Sequence, residues 1–182
     1  MLAWIQQIDW TILHWIRNTL HSEVLDFLMP AITTLGNNGA IWLVAAAAIT
    51  ISKKYRAYGI ALFAVLAVGI VVNNLYLKPL IARPRPCWIE SVPMLIAIPK
   101  DYSFPSGHTV SSIISAYMLT VANRKFGYVV IPLATLISFS RLYLYVHFPS
   151  DILASITLGI LFGAITTWVL KKYEFHKNKQ SE

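Results

Sequence analysis

The sequence predicts an all-α integral membrane protein, a single membrane-embedded domain (1–182) of about six transmembrane helices with an N-terminal interfacial helix. Three observations predict it. The 182 residues are 57% hydrophobic and only 13% charged, and a mean hydropathy of +0.59 lies far above that of soluble domains. Apolar stretches recur at lengths near the ~20 residues a helix needs to cross hydrocarbon. Most charges gather near the ends of those stretches, which leaves no room for a separate soluble domain.

The N-terminal element is residues 1–20. Met1, Ile5, Ile8, Ile12, Trp15 and Ile16 recur at helical spacing, while Gln6, Asp9, Asn18, His14 and Arg17 fall largely elsewhere on the wheel. That pattern reads as a helix lying in the interface; the alternative is one tilted helix running on into the first span. The first cation is Arg17 and no small-residue cleavage site follows, so a cleaved signal peptide is not expected. The transmembrane core, residues 22–171, divides into spans at 22–36, 38–52, 56–77, 106–123, 126–146 and 150–170. Gly36-Asn37-Asn38-Gly39, a cluster of turn formers, is expected to reverse the chain between the first two. Residues 78–105 hold six prolines from Pro79 to Pro105, which remove amide donors and forbid a continuous helix, so this is the one long loop. Gly159 and Gly163 permit close helix packing without saying whether the partner lies in the same chain.

The formal charge of +7 raises the question of nucleic acid, but in a membrane protein the cations must first be sorted by side. Lys53, Lys54 and Arg56, then Arg124 and Lys125, then Lys171, Lys172, Lys177 and Lys179 fall on one side, which marks it cytoplasmic and makes 172–182 a cytoplasmic tail. Nucleic acid is therefore not expected as a partner. The other side holds Lys78, Arg83, Arg85, Lys100 and Arg141, which break the charge rule and invite a functional reason. Cys87 is the single cysteine, so no internal disulfide forms and the redox compartment stays unread.

Three distant stretches project to that extracytoplasmic face. In the first, Lys78 and Arg85 by themselves read as snorkelling cations. Arg83 and Arg85 each precede a proline, however, which holds their backbone extended and their guanidinium forks in fixed directions suited to a phosphate. In the second, Pro105-Ser106-Gly107-His108 opens an apolar segment. Ser106 is a candidate N-cap, Gly107 lets an anion approach the amides, and the first-turn imidazole of His108 can donate a proton to a bound group. By itself the string is an ordinary helix start. In the third, Pro149 disfavours helix at Phe148, so the fifth span should unwind near His147 and a new helix begin around Ser150 and Asp151. Asp151 is within reach of one imidazole nitrogen, leaving the other free as nucleophile or base, and also suits a helix first turn. Arg141, buried in an aromatic apolar segment, needs an anion or a wet cavity. Glu90, Asp101 and Asp151 are the carboxylates on this face. With Asp151 assigned to His147, and no zinc spacing present, a site without metal or cofactor is expected.

Lys78, six residues, Arg85-Pro86; then Pro105-Ser106-Gly107-His108; then Ser140-Arg141, five residues, His147, three residues, Asp151: this resembles the three-part signature of the type 2 phosphatidic acid phosphatase superfamily, in order and spacing, across about 75 residues. The resemblance implies a metal-independent phosphatase in which His147 attacks phosphorus to form a phosphohistidine, Asp151 orients it, and His108 protonates the leaving oxygen. It further implies that Lys78, Arg85, Arg141, Ser106 and the Gly107 amide bind the phosphoryl oxygens, with Arg83 a second cation facing a diphosphate or headgroups. The substrate implied is a membrane lipid phosphate or diphosphate, undecaprenyl diphosphate ahead of phosphatidylglycerophosphate and phosphatidate. The alternatives are a lipid phosphotransferase using the same site and a lipid transporter or flippase, although no repeat between halves supports the latter. Hydropathy sets the related soluble haloperoxidases aside.

Overall fold

The computed structural model describes residues 3–179, with side chains through Tyr173. Met1, used above for the interfacial face, and the side chains of Lys177 and Lys179, used for the basic tail, therefore lie outside what is described. Among the described residues every regular element is helical: α1 (Ala3–Leu20), α2 (Glu23–Leu35), a short turn of helix (Asn37–Gly39), α3 (Ala40–Ile51), α4 (Arg56–Val71), a π-helical turn (Val72–Leu77), α5 (Lys78–Ile81), α6 (Pro86–Ile89), α7 (Gly107–Ala122), α8 (Arg124–Tyr143) and α9 (Pro149–Lys179).

α7 is the hub, packed against α4, α8 and α9. Its buried Val110, Ile114, Met118 and Leu119 join Leu62 and Leu66 of α4 and Ile137 of α8 in the main core. Small residues let the neighbours come close. A Cβ at Gly159 would lie 2.7 Å from Ile113, and one at Gly163 would lie 2.8 Å from Tyr117, so this pair packs α9 onto α7 of the same chain. Trp42 of α3 donates to Ser112 of α7 at 2.9 Å, satisfying a buried indole. Around this core α4, α8 and α9 turn large apolar side chains outward, Val68, Ile131, Leu161 and Val169 among them, as a lipid-facing surface does.

Among the described residues three helical stretches are long and apolar enough to cross a membrane, Arg56–Ile89, Arg124–Tyr143 and Pro149–Tyr173, and Glu23–Leu35 with Asn37–Ile51, bent by 47°, add a fourth if the pair counts as one span. α7, at 16 residues, is shorter than these. The expected reversal of the chain within 22–52 is replaced by a bend. There Asn38 (φ 52°) and Gly39 (φ 69°) take left-handed conformations that kink the chain without reversing it. α1 lies at the same end of the bundle as His147, where its Asp9 reaches Ser150. α1 also turns its faces in an unexpected sense. Asp9 is buried together with Leu13 and Ile16, while Ile8, Ile12 and Trp15 of the apolar stripe are exposed.

The loop at this end is shorter than residues 78–105. Helix continues through α5 because Pro79 sits in its first turn, where a missing amide costs little. The π turn before it re-registers the helix, with the Lys78 amide bonded to the Asn73 carbonyl, and brings Asn73, Asn74 and Lys78 to one cavity.

Candidate active site

The site is built where three breaks in helix meet. α8 stops at Tyr143, and α9 restarts with Pro149 as its first residue, as the Pro149 rule requires. Between them His147 is buried, 1% exposed. α7 begins at Gly107 behind Ser106, whose hydroxyl caps the Thr109 amide at 3.4 Å. The segment Arg83-Pro84-Arg85-Pro86 leaves α5 and runs extended at Arg85 (φ −79°, ψ 153°), so the two arginines point to opposite faces.

A cavity of about 490 Å³ opens here, lined by Lys78, Arg85, Gly107, His108, Arg141 and His147 among others. Its size suits a small polar group with part of an apolar chain, and Leu66, Ile70 and Ile114 form part of the wall. Of the residues singled out in the sequence, Ser106, Asp151 and Arg83 do not line it. Ser106 is fully buried and its hydroxyl faces Thr109 Oγ1 at 3.1 Å. Asp151 lies behind the His147 ring.

Arg85 is fixed from three sides: Nε donates to the Asp101 carbonyl at 2.7 Å, Nη1 to the Val146 carbonyl at 2.6 Å, and Nη2 to Asp101 Oδ1 at 2.9 Å. Its Nη1 is also 3.1 Å from His147 Nε2. A guanidinium only donates, so Nε2 is the nitrogen with the free lone pair, and the proton of the neutral ring sits on Nδ1. Nδ1 faces Ser103 Oγ at 3.4 Å and Asp151 Oδ2 at 3.6 Å. The aspartate contact is therefore longer than a hydrogen bond, and Ser103 bridges it by donating to Asp151 Oδ2 at 2.5 Å. Asp151 also accepts from the Phe148 amide at 2.9 Å, so it caps α9 as well. Burial and the guanidiniums of Arg85 and Arg141 hold the His147 imidazole well below its usual range, which keeps it neutral.

Across the cavity His108 Nε2 is 3.0 Å from Asn37 Oδ1 in the kink between α2 and α3. A Cβ at Gly36 would lie 2.6 Å from His108 Cδ2, so the kink is pressed against the imidazole. Arg141 donates to Thr33 Oγ1 at 2.6 Å, and its Nε is buried with no hydrogen-bond partner among the described residues. An orphaned charged donor beside a cavity is costly unless an anion joins it. Lys78 pairs with Asp101, the second carboxylate contact at this wall. Burial alone would raise the Asp101 carboxyl, but Lys78 and Arg85 bring it down to about 2.

Arg83 does not face the cavity. It turns into a buried cluster with Asp9, Gln6, Ser150 and Asp151. The expectation that it meets a diphosphate or headgroups is set aside by the alternation of the extended segment. Sequence reasoning also passed over Asp101 as a cation partner, Ser103 as the bridge, Asn37 behind His108 and Asp9 on α1. Ser103, two residues before Pro105, carries no spacing signal; Asp9, a carboxylate in an otherwise apolar helix, does.

Fold and site together define a membrane-embedded helical protein with a pocket walled by guanidinium, ammonium and imidazole groups. The chain belongs to the PAP2 superfamily, whose profile matches residues 57–174. It is 32% identical over 150 residues to the undecaprenyl-diphosphatase BcrC of Bacillus subtilis (strain 168), covering 79% of this chain and 74% of that protein. The crystal structure of a transmembrane PAP2 type phosphatidylglycerolphosphate phosphatase from Bacillus subtilis matches with a TM-score of 0.77 at 24% identity, over 94% of this chain and 88% of that one. Aquifex aeolicus LpxE matches with a TM-score of 0.76 at 25% identity, over 88% of this chain and 94% of that one.

Proposed function

We propose that the protein hydrolyses a lipid phosphate or diphosphate through a phosphohistidine on His147. The observation that carries this reading is the orientation of the His147 ring, its lone-pair nitrogen toward Arg85 and its N–H toward Ser103 and Asp151. A phosphoryl group entering among Lys78, Arg85 and Arg141 takes over donors now turned to Asp101 and gains the free Arg141 Nε. Charge-assisted bonds of this kind stabilise the oxygens as phosphorus is attacked. Nε2 forms the bond to phosphorus, and the ring, still protonated at Nδ1, becomes cationic in front of Asp151. The bond to the leaving oxygen breaks, and that oxygen takes a proton from His108. Neutral His108 then accepts a proton from water, whose oxygen attacks the phosphohistidine, releasing phosphate and restoring Nε2.

Undecaprenyl diphosphate is the favoured substrate, supported by the relative of that activity that matches most of the chain, with phosphatidylglycerophosphate and phosphatidate sharing the chemistry. The site is assigned to the extracytoplasmic face. Support comes from the opposite end of the bundle, where Asn123 donates to Tyr55 at 3.0 Å and so joins the two basic connections that carry Lys53, Lys54, Arg56, Arg124 and Lys125. α1 is assigned to the interface on the side of the site.

The test is phosphate release by purified protein in detergent from polyprenyl diphosphate, phosphatidylglycerophosphate and phosphatidate. Wild type should turn over at least one of them and leave an acid-labile phosphoenzyme on quenching. His147→Ala should lose both signals with its thermal unfolding retained. Near-normal turnover in that variant removes His147 from the nucleophile role.

A further inference from the structure

Behind the His147 ring lies a second layer of charge that does not line the cavity. Arg83 is 6% exposed and Asp9 is 1% exposed. Arg83 Nη2 donates to Asp9 Oδ2 at 2.7 Å and to Gln6 Oε1 at 2.9 Å. Its Nη1 donates to Asp151 Oδ1 and to Ser150 Oγ, the latter at 2.8 Å. The guanidinium also lies 3.9 Å from the centre of the Phe148 ring, the residue between His147 and the start of α9. Its backbone carbonyl accepts the Ser103 amide at 2.8 Å, so the same residue seats the hydroxyl that bridges His147 and Asp151. Asp9 in turn accepts from the Ser150 amide at 2.8 Å and the Ser150 hydroxyl at 2.6 Å, which makes it an N-terminal cap for α9 supplied from another helix.

We propose that Arg83 and Asp9 are positioning residues for the reaction: through Asp151 and Ser103 they fix the His147 ring, and they make α1 part of the catalytic apparatus. The inference rests on His147 being the nucleophile. Its physical content is geometric and electrostatic. Asp151 faces His147, Ser103 and Arg83, with Asp9 beyond Arg83 and Arg85 beyond His147. The buried layer of Arg83, Asp9 and Asp151 carries one surplus negative charge, placed behind the Nδ1–H of a ring that turns cationic on attacking phosphorus. With Arg83 gone, Asp9 and Asp151 lose the donor they share, and Asp151 is no longer held in place behind the ring. Asp151 then accepts less well from the ring side, and rate is lost without loss of substrate binding.

The experiment measures kcat and KM for Arg83→Gln, Asp9→Asn and the double variant, on polyprenyl diphosphate and phosphatidate in detergent, with the pH profile of kcat. His147→Ala and wild type run alongside, and thermal unfolding is followed for each. Asp9→Asn keeps an oxygen for Ser150 and removes one charge, so it decides the matter even if Arg83→Gln does not fold. The expected result is a fall in kcat of roughly tenfold for Asp9→Asn and up to roughly a hundredfold for Arg83→Gln, the scale of a misplaced reacting group. KM should stay within about twofold on both substrates. The acid limb of kcat should move to higher pH in Arg83→Gln, and the double variant should fall less than the two singles multiplied. A KM rise confined to the diphosphate would make Arg83 a substrate contact and overturn the inference. So would an unchanged kcat and pH profile with only a lower unfolding temperature. If His147→Ala itself retains turnover, the fault lies in the nucleophile assignment instead.

Discussion

Gly36→Ala tests whether the kink between α2 and α3 sets the position of His108. Gly36 has φ −85° and ψ −7°, which alanine also adopts, so no backbone strain is added. The added methyl would stand 2.6 Å from His108 Cδ2 and 2.8 Å from Ile137 Cγ2, against 3.4 Å where ordinary contact begins, so the imidazole must retreat by about 0.8 Å. Overpacking of this kind costs about 1–3 kcal/mol of stability. A proton donor displaced by that much from a reacting oxygen loses up to about a hundredfold in rate. Phosphate release from the lipid substrate should show kcat lower by roughly 10- to 100-fold with KM little changed. The loss should shrink for a nitrophenyl phosphoester, whose leaving group departs without a proton. Gly127→Ala, whose Cβ would meet Thr120 Oγ1 at 3.0 Å near the start of α8, is the packing control. It should lower the unfolding temperature and spare the rate. If Gly36→Ala behaves like this control, or its defect is as large with the nitrophenyl ester, His108 is not the proton donor.

Chelation by EDTA should leave phosphate release largely intact, because Asp101 is held by Lys78 and Arg85 and Asp151 by Arg83 and Ser103; strict dependence on added magnesium contradicts this. kcat/KM should be bell-shaped in pH, with the acid limb, where His147 gains a proton, lying below the ordinary imidazole value of 6.5. Asp101, lowered from 3.8 to about 2, stabilises the fold above pH 4, and its contribution fades as pH falls toward 2. Asp101→Asn should therefore lower the unfolding temperature at neutral pH and match wild type near pH 2, while a constant difference removes the linkage. Gly163→Val should destabilise by about 1–3 kcal/mol through Tyr117, 2.8 Å from a Cβ there, with KM unchanged.

What the sequence made legible was local. Pro149 announced the break before α9, and Ser106 announced the start of α7, because caps and proline rules act within a few residues. Apolar length announced α4, α8 and α9. The 22–52 region misled because turn formers report that a helix breaks, not by how much, and a 47° bend and a reversal share the same residues. Arg83 misled for a related reason. Extended backbone at Arg-Pro-Arg-Pro was foreseen, but alternation of its two side chains matters only once each face has partners, and those lie on α1 and α9. Asp9 and Ser103 are single residues whose roles exist only through contacts 74 and 44 positions away, beyond the reach of any periodicity.

The two layers of charge explain why a bundle accepts so many ions at one end. Facing the cavity, Lys78, Arg85 and Arg141 outnumber Asp101, leaving two net positive charges, the complement of a phosphomonoester dianion. Behind the ring, Asp9 and Asp151 outnumber Arg83, leaving one net negative charge, the complement of the cationic ring in the proposed mechanism. In the proposed reaction the two layers have separate parts: the cations hold the phosphoryl oxygens, and the carboxylates offset the charge of the ring. His147 stands between the layers with one nitrogen toward each. The helix breaks at Asn38, Arg83 and Phe148 are what allow backbone from remote segments to meet there, since unbroken spans would keep such groups a helix diameter apart.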